Sequence, residues 1–137
     1  LARRYLVNPK VDAGELAKLR KAVGWGERRH EQKKNISCTY LAVACFDEER
    51  LVGYVEVLSD GVDDALIRGL MVDPGCQRQG IALELINIVT AEIRKDRIKT
   101  VNVLFEPELE PLYCKAGFRI ICGGLIDNED DHHGGQT

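Results

Sequence analysis

The chain has 137 residues, which suits one domain around one core. An apolar fraction of 45% and a net charge of −3 describe an ordinary globular protein and argue against a nucleic-acid binder, which would need a basic face. The five cysteines are odd in number and contain no Cys-x-x-Cys pair, which excludes a disulfide framework or a zinc site, and no apolar run is long enough to span a bilayer.

The cysteines therefore read as buried small hydrophobes in a reducing cytoplasm, and no signal peptide is visible. The chain opens on Leu1 rather than Met, and the sequence does not say what precedes it. Arg3 to Asn8 reads as a short strand broken by Asn8-Pro9. Asp12 and Glu15 form a capping-box pattern ahead of Leu16, Leu19 and Val23 at helical spacing, with Gly24 as the stop. The charged segment Glu27 to Lys34 reads either as a solvated helix or as a lid over an acceptor site, with Trp25 as its apolar anchor. Thr39 to Asp47 is a strand apolar on both faces and hence central. A hairpin leads to a strand over Leu51 to Leu58, with Val52, Tyr54, Glu56 and Leu58 on one face. A turn over Ser59 to Asp64 precedes the strand Ala65 to Val72, where Gly69 marks a bulge or a close approach.

Gly80 to Lys95 is the clearest helix, with Ala82, Ile86, Val89 and Ile93 as its apolar stripe, widened by Leu85 and Ile88. Thr100 to Phe105 is a β-branched strand reached by a parallel crossover. Glu108 to Ala116 is a short helix stopped by Gly117, and Phe118 to Cys122 is a last strand. Residues 1–126 form the expected domain, and 127–137 an acidic, Gly-rich, frayed tail. Hairpins followed by β-α-β-α-β predict an α+β domain, a mostly antiparallel mixed sheet with flanking helices.

The chemistry centres on the link from Val72 into the helix. The first N–H groups of a helix lack internal partners and lie at the positive end of its dipole, so they can hold a phosphate. Gly80 lets an anion approach the backbone, and Arg78 adds a cation. The spacing matches neither the nucleotide-kinase loop nor the dinucleotide fingerprint, so the residues alone leave an anion site and a plain turn both open. Gln77-x-x-Gly80-x-Ala82 after Val72-x-Pro74, with Tyr113-Cys114-Lys115-Ala116-Gly117-Phe118 downstream, resembles the GNAT superfamily of N-acetyltransferases. The likeness runs from about Leu51 to Phe118. It implies acetyl-CoA as cosubstrate, held by Gln77, Arg78, Gln79, Gly80, Ile81 and Ala82, and a pantetheine arm bonded along Leu70, Met71 and Val72. It also implies a splayed central parallel strand pair, with the first two helices walling the acceptor site. Glu106 falls where many relatives place an Asn that contacts the coenzyme, a departure from the pattern.

Acetyl transfer needs an acid near the sulfur and a base for the amine, but no metal. The resemblance makes Tyr113 the acid, against the alternative of a core tyrosine. Glu56 is the base candidate, against the alternative of a cross-strand ion pair with Arg68. Cys76 near a helix start suggests a covalent acyl route, but no nearby His serves it. Cys114 reads as core, and His132-His133 as solvated. The expectation is an N-acetyltransferase acting on a primary amine, small or on a protein, in a ternary complex. The alternatives are a non-catalytic acyl-CoA sensor or partner-binding module, or a transferase of longer acyl chains. The acceptor is open, with Asp60, Asp63 and Asp64 as candidates to face a cation, and a homodimer completing the sheet is a further expectation.

Overall fold

The computed structural model describes residues 3–129. Its strands are β1 (Arg3–Val7), β2 (Leu41–Asp47), β3 (Arg50–Ser59), β4 (Asp64–Val72) and β5 (Thr100–Val103); its helices are α1 (Ala13–Ala22), α2 (Arg29–Cys38), α3 (Ile81–Lys95) and α4 (Glu110–Lys115). The sheet order is β1-β2-β3-β4-β5. The first four strands pair antiparallel, and β4 pairs parallel with β5 through the α3 crossover. This is the mixed α+β architecture that the order of elements predicts.

Two cores share the sheet. Alternate residues of β2 divide between them: Leu41, Val43 and Cys45 pack toward α3, and Ala42, Ala44 and Phe46 toward α1. A strand buried on both faces reads as a continuous apolar run, as this one does. On α3, Ile81, Leu85, Ile86, Val89 and Ile93 are all buried. Each such side chain contributes roughly 1.5–3 kcal/mol by leaving water, so the start of this helix is held firmly against the sheet. Gly53 permits that approach, since a Cβ there would stand only 3.0 Å from Ile81 Cγ2.

Two bulges shift the phase of the sheet. One places Val52 between Gly53, which faces Cys45, and Leu51, which faces Phe46. Val52 therefore joins the α3 core, and Glu56 shares its face with Leu51 and Tyr54 rather than with Val52 as alternation predicts. The other lies at Gly69, whose φ of +69° favours glycine. There Tyr54 faces Met71 while Glu56 faces Arg68, so β4 carries an extra residue. The bulge foreseen from a glycine inside a strand is present.

The strand expected over Phe118 to Cys122 does not form. β5 stops at Val103, short of the expected Phe105, and offers few rungs, while Gly123-Gly124 interrupt the stretch beyond Cys122. The segment runs beside β5 with Ile121, Leu125 and Ile126 exposed. The parallel pair thus lies at the sheet edge, not at its centre, among the described residues. Most of the expected tail lies outside those residues, but at its start Glu129 meets Arg28 at 3.3 Å. The cysteines are free thiols, and only Cys45 and Cys76 are buried. Cys38, Cys114 and Cys122 are exposed, against the expectation of burial, because they fall on polar α2, on the outer side of α4 and in the unpaired segment.

Candidate active site

β4 delivers the chain into a built turn. Asp73 accepts a hydrogen bond from the Gly75 N–H at 2.8 Å and pairs with Arg50 at 3.0 Å. Gln77 Nε2 donates to the Val72 carbonyl at 3.1 Å, tying the loop back onto β4. Arg78 and Gly80 then take left-handed conformations, with φ of +63° and +83°. α3 begins at Ile81 with Gly80 as its N-cap and no side-chain cap. Its first-turn amides are therefore uncapped at the positive end of the dipole. A Cβ built on Gly80 would meet nothing within 4 Å, so the space above this backbone is open.

That space is one end of a cleft of about 360 Å³ between the start of α3 and α4. Val72, Gln77, Arg78, Gly80, Ile81 and Ala82 line it on the loop side, and Pro111, Leu112 and Lys115 on the α4 side. Cys76 and Leu83 complete the wall, and the charged residues of the lining are Arg78 and Lys115, both cations. Uncapped amides, two cations and an apolar flank fit a diphosphate with a thioester arm. Cys76 is buried, and Arg50 approaches its sulfur at 3.9 Å.

Not every expected coenzyme contact falls in this cleft. Leu70 packs into the α3 core, and Met71 faces the other side of the sheet. The Gln79 side chain is taken up by Arg3. Glu106 is exposed and accepts a turn bond from the Leu109 N–H at 2.9 Å, away from the cleft. Lys115 also lines the cleft, a position that its place inside the Tyr-x-Lys-x-Gly-Phe segment does not reveal.

β4 connects the cleft to the opposite face. Its pairing with β5 ends at Ile67↔Val103, so the edge from Arg68 to Val72 is left without a β5 partner. An extended arm can bond along such an edge. Val72 lines the cleft, and its neighbours Met71 and Gly69 line a second cavity of about 330 Å³ under α1 and α2.

In that second cavity Glu56 is 5% exposed, and its Oε2 accepts a 2.6 Å hydrogen bond from Arg68 Nε. The cross-strand pair that competed with a base role is therefore formed. Glu56 is also the one carboxylate in the cavity lining. Tyr54 beside it is pushed up in pKa by burial first and by the Glu56 charge second. Trp25, Arg20 and Arg28 line the far side, with Gln32 and Asn35 from α2. The charged segment thus forms a helix longer than its charge run, and the wall of a cavity. Asp60, Asp63 and Asp64 do not line it. Asp60 accepts from the N–H groups of Val62, Asp63 and Asp64, which hold its carboxyl below its ordinary pKa and fasten the turn.

Tyr113 is 2% exposed on α4. Its ring stacks on Phe105 at 4.6 Å and meets Phe118 edge-on at 5.5 Å. Burial pushes its pKa up to about 12. Its neighbour Leu112 lines the cleft, while Tyr113 itself is behind that wall. His132 and His133 lie outside the described residues. No group of three or more metal-ligating side chains occurs among the described residues, and no helix there is long and apolar enough to cross a membrane.

Comparison with known proteins agrees with this geometry. The family model for the acetyltransferase (GNAT) domain matches residues 21–128. An uncharacterized N-acetyltransferase ycf52 of Gracilaria tenuistipitata var. liui is 27% identical over 116 residues, covering 81% of this chain and 64% of the relative. This chain therefore spans just under two thirds of that relative's length. Rice serotonin N-acetyltransferase 2, chloroplastic, is 24% identical, with 79% of this chain and 56% of the rice protein covered. Among solved structures, a probable acetyltransferase from Staphylococcus aureus superposes with a TM-score of 0.82 at 20% identity, covering 91% of this chain and 99% of that one. A GNAT-family N-acetyltransferase from Escherichia coli in complex with CoA gives 0.71 at 21%, covering 85% and 68%. With the family model spanning most of its length, this chain belongs to the GNAT acetyltransferase family.

Proposed function

We propose that the chain transfers an acetyl group from acetyl-CoA to a primary amine, by direct attack in a ternary complex. The observation that carries this reading is the uncapped, left-handed loop at Arg78–Gly80, which opens into a cationic cleft. The unpaired edge of β4 borders this cleft at Val72 and a second cavity at Gly69 and Met71. Relatives named N-acetyltransferases and similar structures solved with coenzyme A support it. The rice relative's name makes an arylalkylamine one acceptor to try.

When bound, acetyl-CoA supplies an acetyl group activated as a thioester. Transfer forms an N–C bond, breaks the C–S bond and moves one proton from the amine to the departing thiol. The amides at the start of α3, with Arg78 and Lys115, hold the diphosphate, and the free edge of β4 aligns the arm. Glu56 draws the ammonium form of the acceptor into the second cavity and takes its proton, directly or through water. Arg68 keeps that carboxylate in place. Tyr113, protonated at neutral pH as any tyrosine is and made a weaker acid by burial, is the proposed donor of a proton toward the sulfur, a role that requires its hydroxyl to reach the cleft past Leu112.

The test is release of free thiol from acetyl-CoA across a panel of amines. Amine-dependent release is expected, and its absence with every amine would overturn the proposal. Tyr113→Phe is expected to lower kcat about tenfold or more at unchanged CoA affinity. Unaltered turnover across pH would leave Tyr113 as a packing residue alone. A non-catalytic acyl-CoA sensor is the second reading, favoured by the burial of Tyr113 behind the cleft wall and the engagement of Glu56 by Arg68. Tight CoA binding without thiol release would select it.

A further inference from the structure

We infer that the acceptor is an amino acid or another amine bearing a carboxylate, with Arg20 and Arg28 holding the carboxylate while the amine faces Glu56. This rests on the acetyl-transfer reading and names the substrate class of its second cavity.

The charges of that cavity do not balance internally. Its lining carries three guanidinium groups, on Arg20, Arg28 and Arg68, and one carboxylate, on Glu56. Arg68 and Glu56 satisfy each other at 2.6 Å. Arg28 meets Glu129 at 3.3 Å, but both side chains are exposed, at 44% and 77%, so an incoming carboxylate can take that place. Arg20 has no carboxylate partner among the described residues. Its Nε donates to the Gly26 carbonyl at 2.6 Å, and its guanidinium lies 5.3 Å from the centre of the Trp25 ring. The remaining N–H groups of that fork suit a planar carboxylate. Burial first and the neighbouring Arg28 charge second lower the Arg20 pKa, and the more distant charge of Glu56, already bonded to Arg68, only partly opposes them.

A separate observation agrees. Gln32 is 3% exposed and lines the same cavity, yet its Nε2 has no hydrogen-bond partner. A buried donor is costly when unmet, and a turn of the Gln32 side chain toward the cavity would bring it to a ligand oxygen. An amine without an acid group would add positive charge here and leave Arg20 and Gln32 unmet. An amino carboxylate places one charge against each end, with its ammonium toward Glu56 and its carboxylate toward the two arginines.

Trp25 lines the cavity and is the chain's one tryptophan, so its fluorescence reports binding there without interference. The intact chain is titrated with matched pairs differing by a carboxylate: phenylalanine against 2-phenylethylamine, histidine against histamine, and γ-aminobutyrate against propylamine. Thiol release from acetyl-CoA is followed with the same compounds. The carboxylated partner is expected to bind about tenfold more tightly or better, and Arg20→Gln to bring the ratio close to one. Arg28→Gln, at a more exposed position, narrows the same ratio if the α1 variant does not fold. Equal or tighter binding of the plain amines, or no fluorescence response to either partner, overturns the inference. If the plain amines release thiol as fast as the acids, the inference falls while acetyl transfer stands. If the acids bind selectively but no compound releases thiol, the anion site stands and acetyl transfer falls.

Discussion

Glu56→Gln is expected to reduce kcat by about a hundredfold to ten-thousandfold, the range of a lost general base, with little change in CoA affinity. Glutamine keeps the shape and removes the one negative charge in the second cavity's lining. The variant also strips Arg68 of its counter-ion, while the amide oxygen can still accept its hydrogen bond. Breaking a fully buried pair costs about 3–5 kcal/mol. The Arg68 side chain is 37% exposed and can turn to water, so a loss of roughly 1–3 kcal/mol is expected instead. Steady-state kinetics with both substrates saturating, beside a thermal melt of the same sample, separate the two effects. A lower Tm with turnover retained would make Glu56 a structural partner of Arg68 and leave the proton to water.

Gly80→Asp is expected to weaken CoA binding by about a hundredfold, or roughly 2.7 kcal/mol, while leaving the fold nearly intact. The backbone at this position is left-handed, which costs a non-glycine residue on the order of 1–2 kcal/mol, least for Asp and Asn. The new side chain meets no neighbour, so it adds no clash. Its carboxylate also sits at the positive end of α3, a favourable place for an acid, and recovers part of the strain. The same carboxylate occupies the space assigned to the diphosphate and repels it. Calorimetry with CoA and a melt of the variant together make the check. Undiminished CoA affinity would remove the loop from the binding site.

Much of this arrangement is legible in the sequence. The apolar stripe of α3 fixes that helix, Gly80 marks its start, and Gly69 announces the bulge that sets which of Met71 and Val72 faces which cavity. These features are readable because each is local: the stripe is a period repeated along one helix, and each glycine is a backbone requirement written in one residue. The Val52 bulge is not readable, since Gly53 beside it is accounted for by the close approach of Ile81; Val52 fits the α3 core, and the ladder gives way to seat it. The strand expected at Phe118 to Cys122 fails for the converse reason. Ile120 and Ile121 have strand propensity, but propensity needs a partner edge, and β5 is too short to provide one. The second cavity is the least legible part. Arg20, Gln32 and Arg68 come from three elements, and nothing in their spacing says that they converge. In sequence Arg20 is one more charge on the polar side of α1, and Gln32 one more polar residue in a charged run. Tyr113 shows the limit of a motif, which locates the residue on α4 but does not reveal that its ring is stacked behind Leu112.

The proposed acetyl transfer depends on main-chain amides at the start of α3 holding a diphosphate. Calorimetric titration of the unmodified chain with CoA and, separately, with pantetheine tests this most directly when 4′-phosphopantetheine is titrated beside them, because pantetheine lacks both the diphosphate and the nucleotide and 4′-phosphopantetheine restores a phosphate alone. Saturable binding of CoA is predicted, with pantetheine weaker by about a hundredfold or more. Equal affinity for the two, or no heat with CoA, would contradict it.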